Sequence, residues 1–247
     1  MKFGLFGSAK LNKIRNDIDS SLSYNEWIDY NIEAEKLGYE STFTVEHHFT
    51  GLGQVSASLN LLTFLAAKTS KIKLGTAVLT LPWHNPVLLA EQVATMDLLS
   101  NGRIQLGVGK GYRYNEFKGF KIDMNEANAR FHESIDIMVK SWENKEKWSY
   151  FGKFWSFEDI IVEPSCYQLP YPTLWMAAGN HEAIKNVAKK NANLLLDQFS
   201  PLNEVIKRVQ VYKSELEKNN FNNDTFNRIA LARALYIAKN EKEKMEV

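Results

Sequence analysis

The chain has 247 residues, of which 45% are hydrophobic and 12% aromatic, enough for a substantial core and too apolar for a disordered tail. Thirty basic residues against 29 acidic ones give a net charge of +1, which leaves no electrostatic footprint for nucleic acid or an anionic membrane. The single cysteine, Cys166, cannot form an internal disulfide. MKFGLFGSAK is too short an apolar run for a signal peptide, and no segment reaches the ~20 apolar residues of a membrane helix, so a soluble, cytoplasmic protein is expected.

In chain order, short apolar runs alternate with longer amphipathic ones. KFGLFG reads as a first strand. NEWIDYNIEAEKLG reads as a helix with Trp27, Tyr30, Ala34 and Leu37 on one face and Gly38 at its end. YESTFTVEHHF is expected as strand two, LNLLTFLAAKT as a helix and IKLGTAVLTL as strand three. HNPVLLAEQVATMDLLSNG follows, with Asn85 as N-cap, Pro86 at the first helical position and Leu89, Val93 and Met96 as the buried stripe.

RIQLGVGKG is strand four. After an irregular stretch, residues 126–143 form a helix with Phe131, Ile135, Met138 and Trp142 at helical spacing. KWSYFGKFWSF reads as a hairpin turning near Gly152. TLWMAAG is strand five, EAIKNVAKKN a helix, LLLDQF strand six, residues 203–218 a helix and IALARALYIA strand seven. The closing KNEKEKMEV looks like the start of a further helix. Strands apolar on both faces, each followed by a helix, predict parallel β/α units, either doubly wound or closed as a barrel.

Five stretches could carry chemistry. In TFTVEHHF, adjacent residues of a strand point to opposite faces, so His47 and His48 are not expected to chelate one ion, and the other histidines lack helical metal-site spacing. Hydrogen-bonded polar residues at a strand end are the plain alternative to a proton-moving histidine there. GVGKGY (residues 107–112) could bring backbone and Lys110 to a phosphate. It fails as a dinucleotide fingerprint because Tyr112 stands where a third glycine belongs, and it also reads as an ordinary turn.

MAAGNHEAIK places Ala177, Ala178 and Gly179 before a helix N-terminus that could hold an anion, or that is simply capped by Asn180. GTAVLTLPWHNP ends strand three with small residues that leave room for a flat ligand, with Trp83 either beside it or in the core. The aromatic hairpin is either a ligand flap or packed on the protein.

TVEHHFT (44–50), LGTAVLTLPWHNPVLLAEQVATMDLLSNGRIQLGVGKGY (74–112), PYPTLWMAAGNHEAIKNVAKK (170–190) and RALYIA together resemble the luciferase-like flavin monooxygenase family, bacterial luciferase in particular, over nearly the whole chain. The resemblance implies a (β/α)8 TIM-barrel type fold with reduced FMN bound at the C-terminal ends of the strands. His47 would be the catalytic acid or base. Flavin contacts would fall on Glu46, Ala77, Val78, Lys110, Gly111, Tyr112, Ala178, Gly179 and Asn180, with a non-prolyl cis peptide at Ala77–Val78.

Where luciferase has a cysteine and an arginine, this chain has Gly109 and Lys110, a point charge without a bidentate fork. Where luciferase has a glutamate–serine pair and a threonine, it has Ala178, Gly179 and Glu182. The implied reaction is dioxygen activation by reduced flavin, oxygenation of a small organic substrate, and loss of water; Trp83, Tyr112, Tyr114 and the aromatic hairpin point to an apolar substrate pocket. Implied partners are a separate NAD(P)H-dependent flavin reductase as the source of reduced flavin and a second subunit in a homo- or heterodimer. Two alternatives stay open: a deazaflavin-dependent oxidoreductase on the same barrel, and a catalytically silent flavin-binding or supporting subunit.

Seven strands are visible and no eighth β/α unit closes the ring, so residues 1–247 read as one luciferase-like domain, C-terminally incomplete; a fragment of a longer chain is the favoured expectation, beside closure by a partner and a shortened barrel of the non-fluorescent flavoprotein kind. Unpaired strand edges at the core are an aggregation hazard. Expressed alone, this chain is expected to be poorly soluble; size-exclusion chromatography showing one monodisperse species with a cooperative melt would count against the strand tally.

Overall fold

Ile104–Gly109 carries one polar residue in six, and the structure buries all six as strand β5. A strand hidden on both faces belongs in the interior of a parallel sheet, and β5 lies there. The computed structural model describes residues 1–9, 22–51, 53–221 and 224–241, and the chain divides into two units, Met1–Ala177 and Ala178–Val247.

In the first unit, β1 (Gly4–Gly7), β2 (Ser41–Thr44), β3 (Lys73–Thr76), β5 and β8 (Thr173–Ala177) pair in that order, all parallel. A two-residue strand β4 (Leu79–Thr80) also pairs with β5. The connecting helices are α1 (Leu22–Lys36), α2 (Ser58–Ala66), α3 (Pro86–Leu99), α4 (Tyr114–Phe120) and α5 (Ala127–Glu143). In the second unit, β9 (Asn193–Leu196) and β10 (Ile229–Leu231) pair in parallel beside α6 (His181–Lys189) and α7 (Leu202–Lys218). These are the seven parallel strands and intervening helices of the expected barrel-type β/α fold; KNEKEKMEV lies mostly outside the described residues.

Local signals place the helix ends. The Asn85 side chain accepts the Val87 and Leu88 amides, and Pro86 opens α3. Asn101 and Gly102, at φ 54° and 75°, end it in left-handed backbone. Leu89, Val93 and Met96 are buried as expected. In α1 the buried residues are instead Ile28, Asn31 and Ala34, with Tyr30 and Leu37 exposed. The hairpin β6 (Trp148–Phe151) and β7 (Ser156–Ile160) forms, and Glu133 of α5 fastens it by accepting the Phe154 and Trp155 amides at 3.0 Å.

The sheet of the first unit has two unlike faces. Leu106, Val108 and Leu174 turn toward Ile135, Met138 and Trp142 of α5. By the alternation of side chains, Gln105, Gly107, Gly109, Trp175 and Ala177 turn to the other face. There the Trp175 indole donates to Gln105 Oε1 at 2.8 Å and meets Phe43 edge-on at 6.0 Å.

Phe43 needs the absent side chain of Gly75, whose Cβ would fall on the Phe43 ring. Gly75→Ala is therefore expected to destabilise the first unit by about 1–3 kcal/mol, the usual cost of overpacking, read as a lower midpoint in urea denaturation.

Candidate active site

β2 stops at Thr44, earlier than the expected strand, because its backbone partners change there. The Ala77 amide donates to Thr44 O at 2.7 Å, while the His47 amide turns to Val55 O at 2.9 Å. Val45–His48 therefore runs on as a tail beyond the strand. The expected third strand is likewise broken, into β3 and β4, around a cis peptide between Ala77 and Val78, the bond that the resemblance implied.

The β5 ladder survives this break through one side chain. Thr76 Oγ1 donates to Gly107 O at 2.7 Å and accepts the Gly107 amide at 2.9 Å, spanning the gap between the Gly75–Gln105 and Leu79–Val108 pairs. A Cβ on Gly109 would lie 2.5 Å from Val78 Cγ2, so glycine is required where the detour passes β5. Ala77 and Val78 are half-buried and Ala177 is exposed. Above the filled row of Phe43, Gln105 and Trp175, the strand ends thus carry only small residues, which suits a flat ring system.

Glu46 lies just past β2 and is 3% exposed. An ionised carboxylate at that depth needs hydrogen-bond donors. Oε1 accepts from His48 Nε2 at 2.7 Å, His84 Nε2 at 2.8 Å and Trp83 Nε1 at 3.0 Å, and Oε2 accepts the Thr80 amide at 2.9 Å. Burial pushes the carboxyl up, but the hydrogen bonds from His48 and His84, the charge of His84 and the Trp83 indole outweigh it and hold the pKa at about 2. Trp83 stacks on Phe120 at 5.1 Å and meets Phe117 edge-on at 5.3 Å. Trp83 and His84, from the segment expected to make room for a ligand, are thus held against Glu46.

His47 belongs to a different carboxylate. Its Nδ1 lies 3.0 Å from Glu116 Oε1, and the same oxygen accepts the His48 amide at 2.9 Å. Glu116 is 2% exposed. The Tyr112 ring stands edge-on to His47 at 6.5 Å, and the Arg113 guanidinium lies over Tyr112 at 5.6 Å. His47 Nε2 has no hydrogen-bond partner among the described residues, and the side chain keeps 14% of its surface exposed. The two histidines do diverge, as expected of neighbours, although both lie beyond the strand.

Lys110 is exposed at the end of β5. Gly111, at φ 77°, sits where a Cβ would lie 2.7 Å from Thr80 Cγ2, which ties the glycine loop to the segment around Glu46. In the second unit taken by itself, Asn180 caps α6 by accepting the Ala183 amide at 2.9 Å. The Ala178 amide donates to Leu195 O at 3.3 Å, and Gly179 opens onto free space. No group of three or more His, Cys, Asp or Glu side chains among the described residues is arranged to hold a metal ion, and none of the described helices is long and apolar enough to cross a membrane.

Sequence reasoning missed Glu116, Thr76 and Thr80. The stretch taken as irregular is α4 followed by a 3-10 turn. The available signal was an acidic residue between the glycine loop and the aromatic pair Phe117 and Phe120.

Because the Glu46 pKa is held below the ordinary 4.5, its stabilisation is fully present above pH 4.5 and is lost as the pH falls toward 2. Glu46→Gln is expected to lower stability at neutral pH, by up to about 3 kcal/mol, and to flatten the acid limb of a plot of stability against pH between 4.5 and 2.

The family model described as luciferase-like monooxygenase matches residues 1–247. The chain is 27% identical to the oxygenase component of the flavin-dependent trigonelline monooxygenase of Acinetobacter baylyi, over 98% of this chain and 67% of that protein. It is 30% identical to the alkanal monooxygenase beta chain of Photorhabdus laumondii, over 79% and 59% respectively. The chain spans about half to two thirds of the length of these curated relatives.

Among solved structures, monooxygenase RslO1 from Streptomyces bottropensis has a TM-score of 0.91 at 25% identity, over 100% of this chain and 74% of that one. The oxygenating constituent of 3,6-diketocamphane monooxygenase from Pseudomonas putida, in complex with FMN, has a TM-score of 0.84 at 20% identity, over 98% and 69%. An F420-dependent secondary alcohol dehydrogenase shares the fold at a TM-score of 0.75 and 15% identity, over 94% and 68%. With the family model matching from end to end, this chain belongs to the luciferase-like monooxygenase family.

Proposed function

We propose that this chain is the oxygenase of a two-component flavin-dependent monooxygenase, which takes reduced FMN from a separate reductase and uses dioxygen to oxygenate a small apolar organic molecule. The observation that carries this reading is the His47 imidazole, anchored through Nδ1 to buried Glu116 with Nε2 unpaired. His47 follows β2, whose last residue, Thr44, accepts the amide of Ala77 at the cis Ala77–Val78 segment.

Reduced FMN, when bound, supplies two electrons, so that one oxygen atom of dioxygen enters the substrate and the other leaves as water. Ala77 and Val78 would support the ring, with Gly109 permitting the close approach of the two strands. Lys110, with the amides of Gly111 and Tyr112, would meet the phosphate. His47 accepts or donates one proton at Nε2, with the Tyr112 ring edge-on beside it.

The fold is shared with F420-dependent enzymes, so the second reading is hydride transfer with a deazaflavin. One experiment separates the two. The protein is titrated anaerobically with reduced FMN and, in parallel, with reduced F420. ¹⁸O-labelled dioxygen is then admitted in the presence of apolar aldehydes, ketones and alkanes. FMN binding and label in the product are expected. His47→Ala is expected to bind reduced FMN normally and to lose at least ~100-fold in product formation. Unchanged turnover would remove His47 from this role, and turnover with F420 alone would select the hydride-transfer reading.

A further inference from the structure

Two adjacent histidines and two buried carboxylates meet at one rim, yet each ring pairs with a different acid. His48 Nε2 goes to Glu46 and His47 Nδ1 goes to Glu116. The sorting is built into the backbone. Glu116 Oε1 also accepts the amide of His48, so one oxygen holds the peptide between the two histidines and the ring of the first. With that peptide pinned, the His48 ring turns away against Phe120 at 4.8 Å and reaches Glu46.

A neutral imidazole has one N–H and one bare nitrogen, and the partner of one nitrogen decides the state of the other. In water the proton favours Nε2. Here Glu116 Oε1 accepts the His48 amide and lies 3.0 Å from the ring nitrogen; a carboxylate has no hydrogen to give, so the hydrogen between ring and carboxylate belongs to Nδ1. That leaves Nε2 bare, with no hydrogen-bond partner among the described residues. The titratable and charged groups facing the ring are Glu116 on α4, the Tyr112 phenol with the Arg113 guanidinium over it, and, on the far side of His48, Glu46 with His84.

We propose that Glu116 is a positioning residue for the reaction. It locks His47 as the Nδ1–H tautomer and so makes Nε2 the nitrogen that takes the proton; the imidazolium formed then has the Glu116 carboxylate as its counter-charge, and giving the proton back from Nε2 restores the starting tautomer. No electrons move in this step, which is proton transfer alone. It rests on the reading of His47 given above for the consequence in turnover, whereas the tautomer is a property of the protein without cofactor or substrate.

The experiment uses the full chain labelled with ¹⁵N-histidine. Long-range proton–nitrogen correlation spectra identify which ring nitrogen of His47 carries hydrogen, with His47→Ala assigning the signals. In the unsubstituted protein Nδ1 is expected to be the protonated nitrogen. Glu116→Gln has the same shape but can present an amide N–H to Nδ1. It is expected to shift the ring toward the Nε2–H tautomer and to reduce turnover by ~10²–10⁴-fold, the scale seen when a histidine is held in the wrong tautomer, with reduced-FMN affinity unchanged. Lys118→Ala, exposed on the same helix, should alter neither.

An Nε2–H ring in the unsubstituted protein would overturn the assignment, and so would a Glu116→Gln protein with unaltered tautomer and turnover. If Glu116→Gln fails to fold, the spectrum of the unsubstituted chain decides alone. If no monooxygenase turnover is found with any cofactor, the function proposed above fails while the tautomer result still stands or falls separately.

Discussion

One buried carboxylate organises the rim of the first unit. Glu46 sits at the end of β2 with almost no access to water, and a charge there persists only with a full set of donors. Its four donors come from His48 just after β2, from Thr80 at the end of β4, and from Trp83 and His84 beyond it. The acid therefore clasps two consecutive β/α loops together. Removing any one donor would leave the others holding a charge that the site cannot solvate, so these side chains act as a unit.

The clasp explains the surroundings of the cis segment. β3 breaks at Ala77–Val78 and resumes as β4, and Thr80, the last residue of β4, gives its amide to Glu46. On the other side of the break, Thr76 replaces two missing ladder contacts with its hydroxyl. The detour is thus held from both ends by side-chain hydrogen bonds, and Gly109 supplies the space that Val78 needs. The result is a patch of small, partly open residues at the strand ends, framed by side-chain hydrogen bonds.

The same economy appears in the histidine pair. Neighbours in sequence diverge because Glu116 holds the peptide between them, and the divergence gives the two rings different work. His48 supports Glu46 and packs on Phe120, while His47 gives one nitrogen to Glu116 and keeps the other without a hydrogen-bond partner among the described residues. The helix bearing Glu116 supplies Phe117 and Phe120 to the Trp83 stack as well, so the orientation of His47 is coupled to the packing of the loop that carries the clasp.

Sequence periodicity by itself determined the order of the seven parallel strands and of the helices between them other than α4, the parallel β/α class and the N-cap of α3, because apolar alternation and Asn85–Pro86 are local signals. The glutamate and two histidines at 46–48 stood out for the same reason. Only the tertiary structure decided where β2 stops and which acid each histidine meets. Strand ends depend on partners from distant segments, such as Val55 for the His47 amide and Ala77 for Thr44. Glu116 lies 69 residues from His47, on a helix too short to announce itself by periodicity, and its contact arises only when the loop after β5 folds back over the loop after β2.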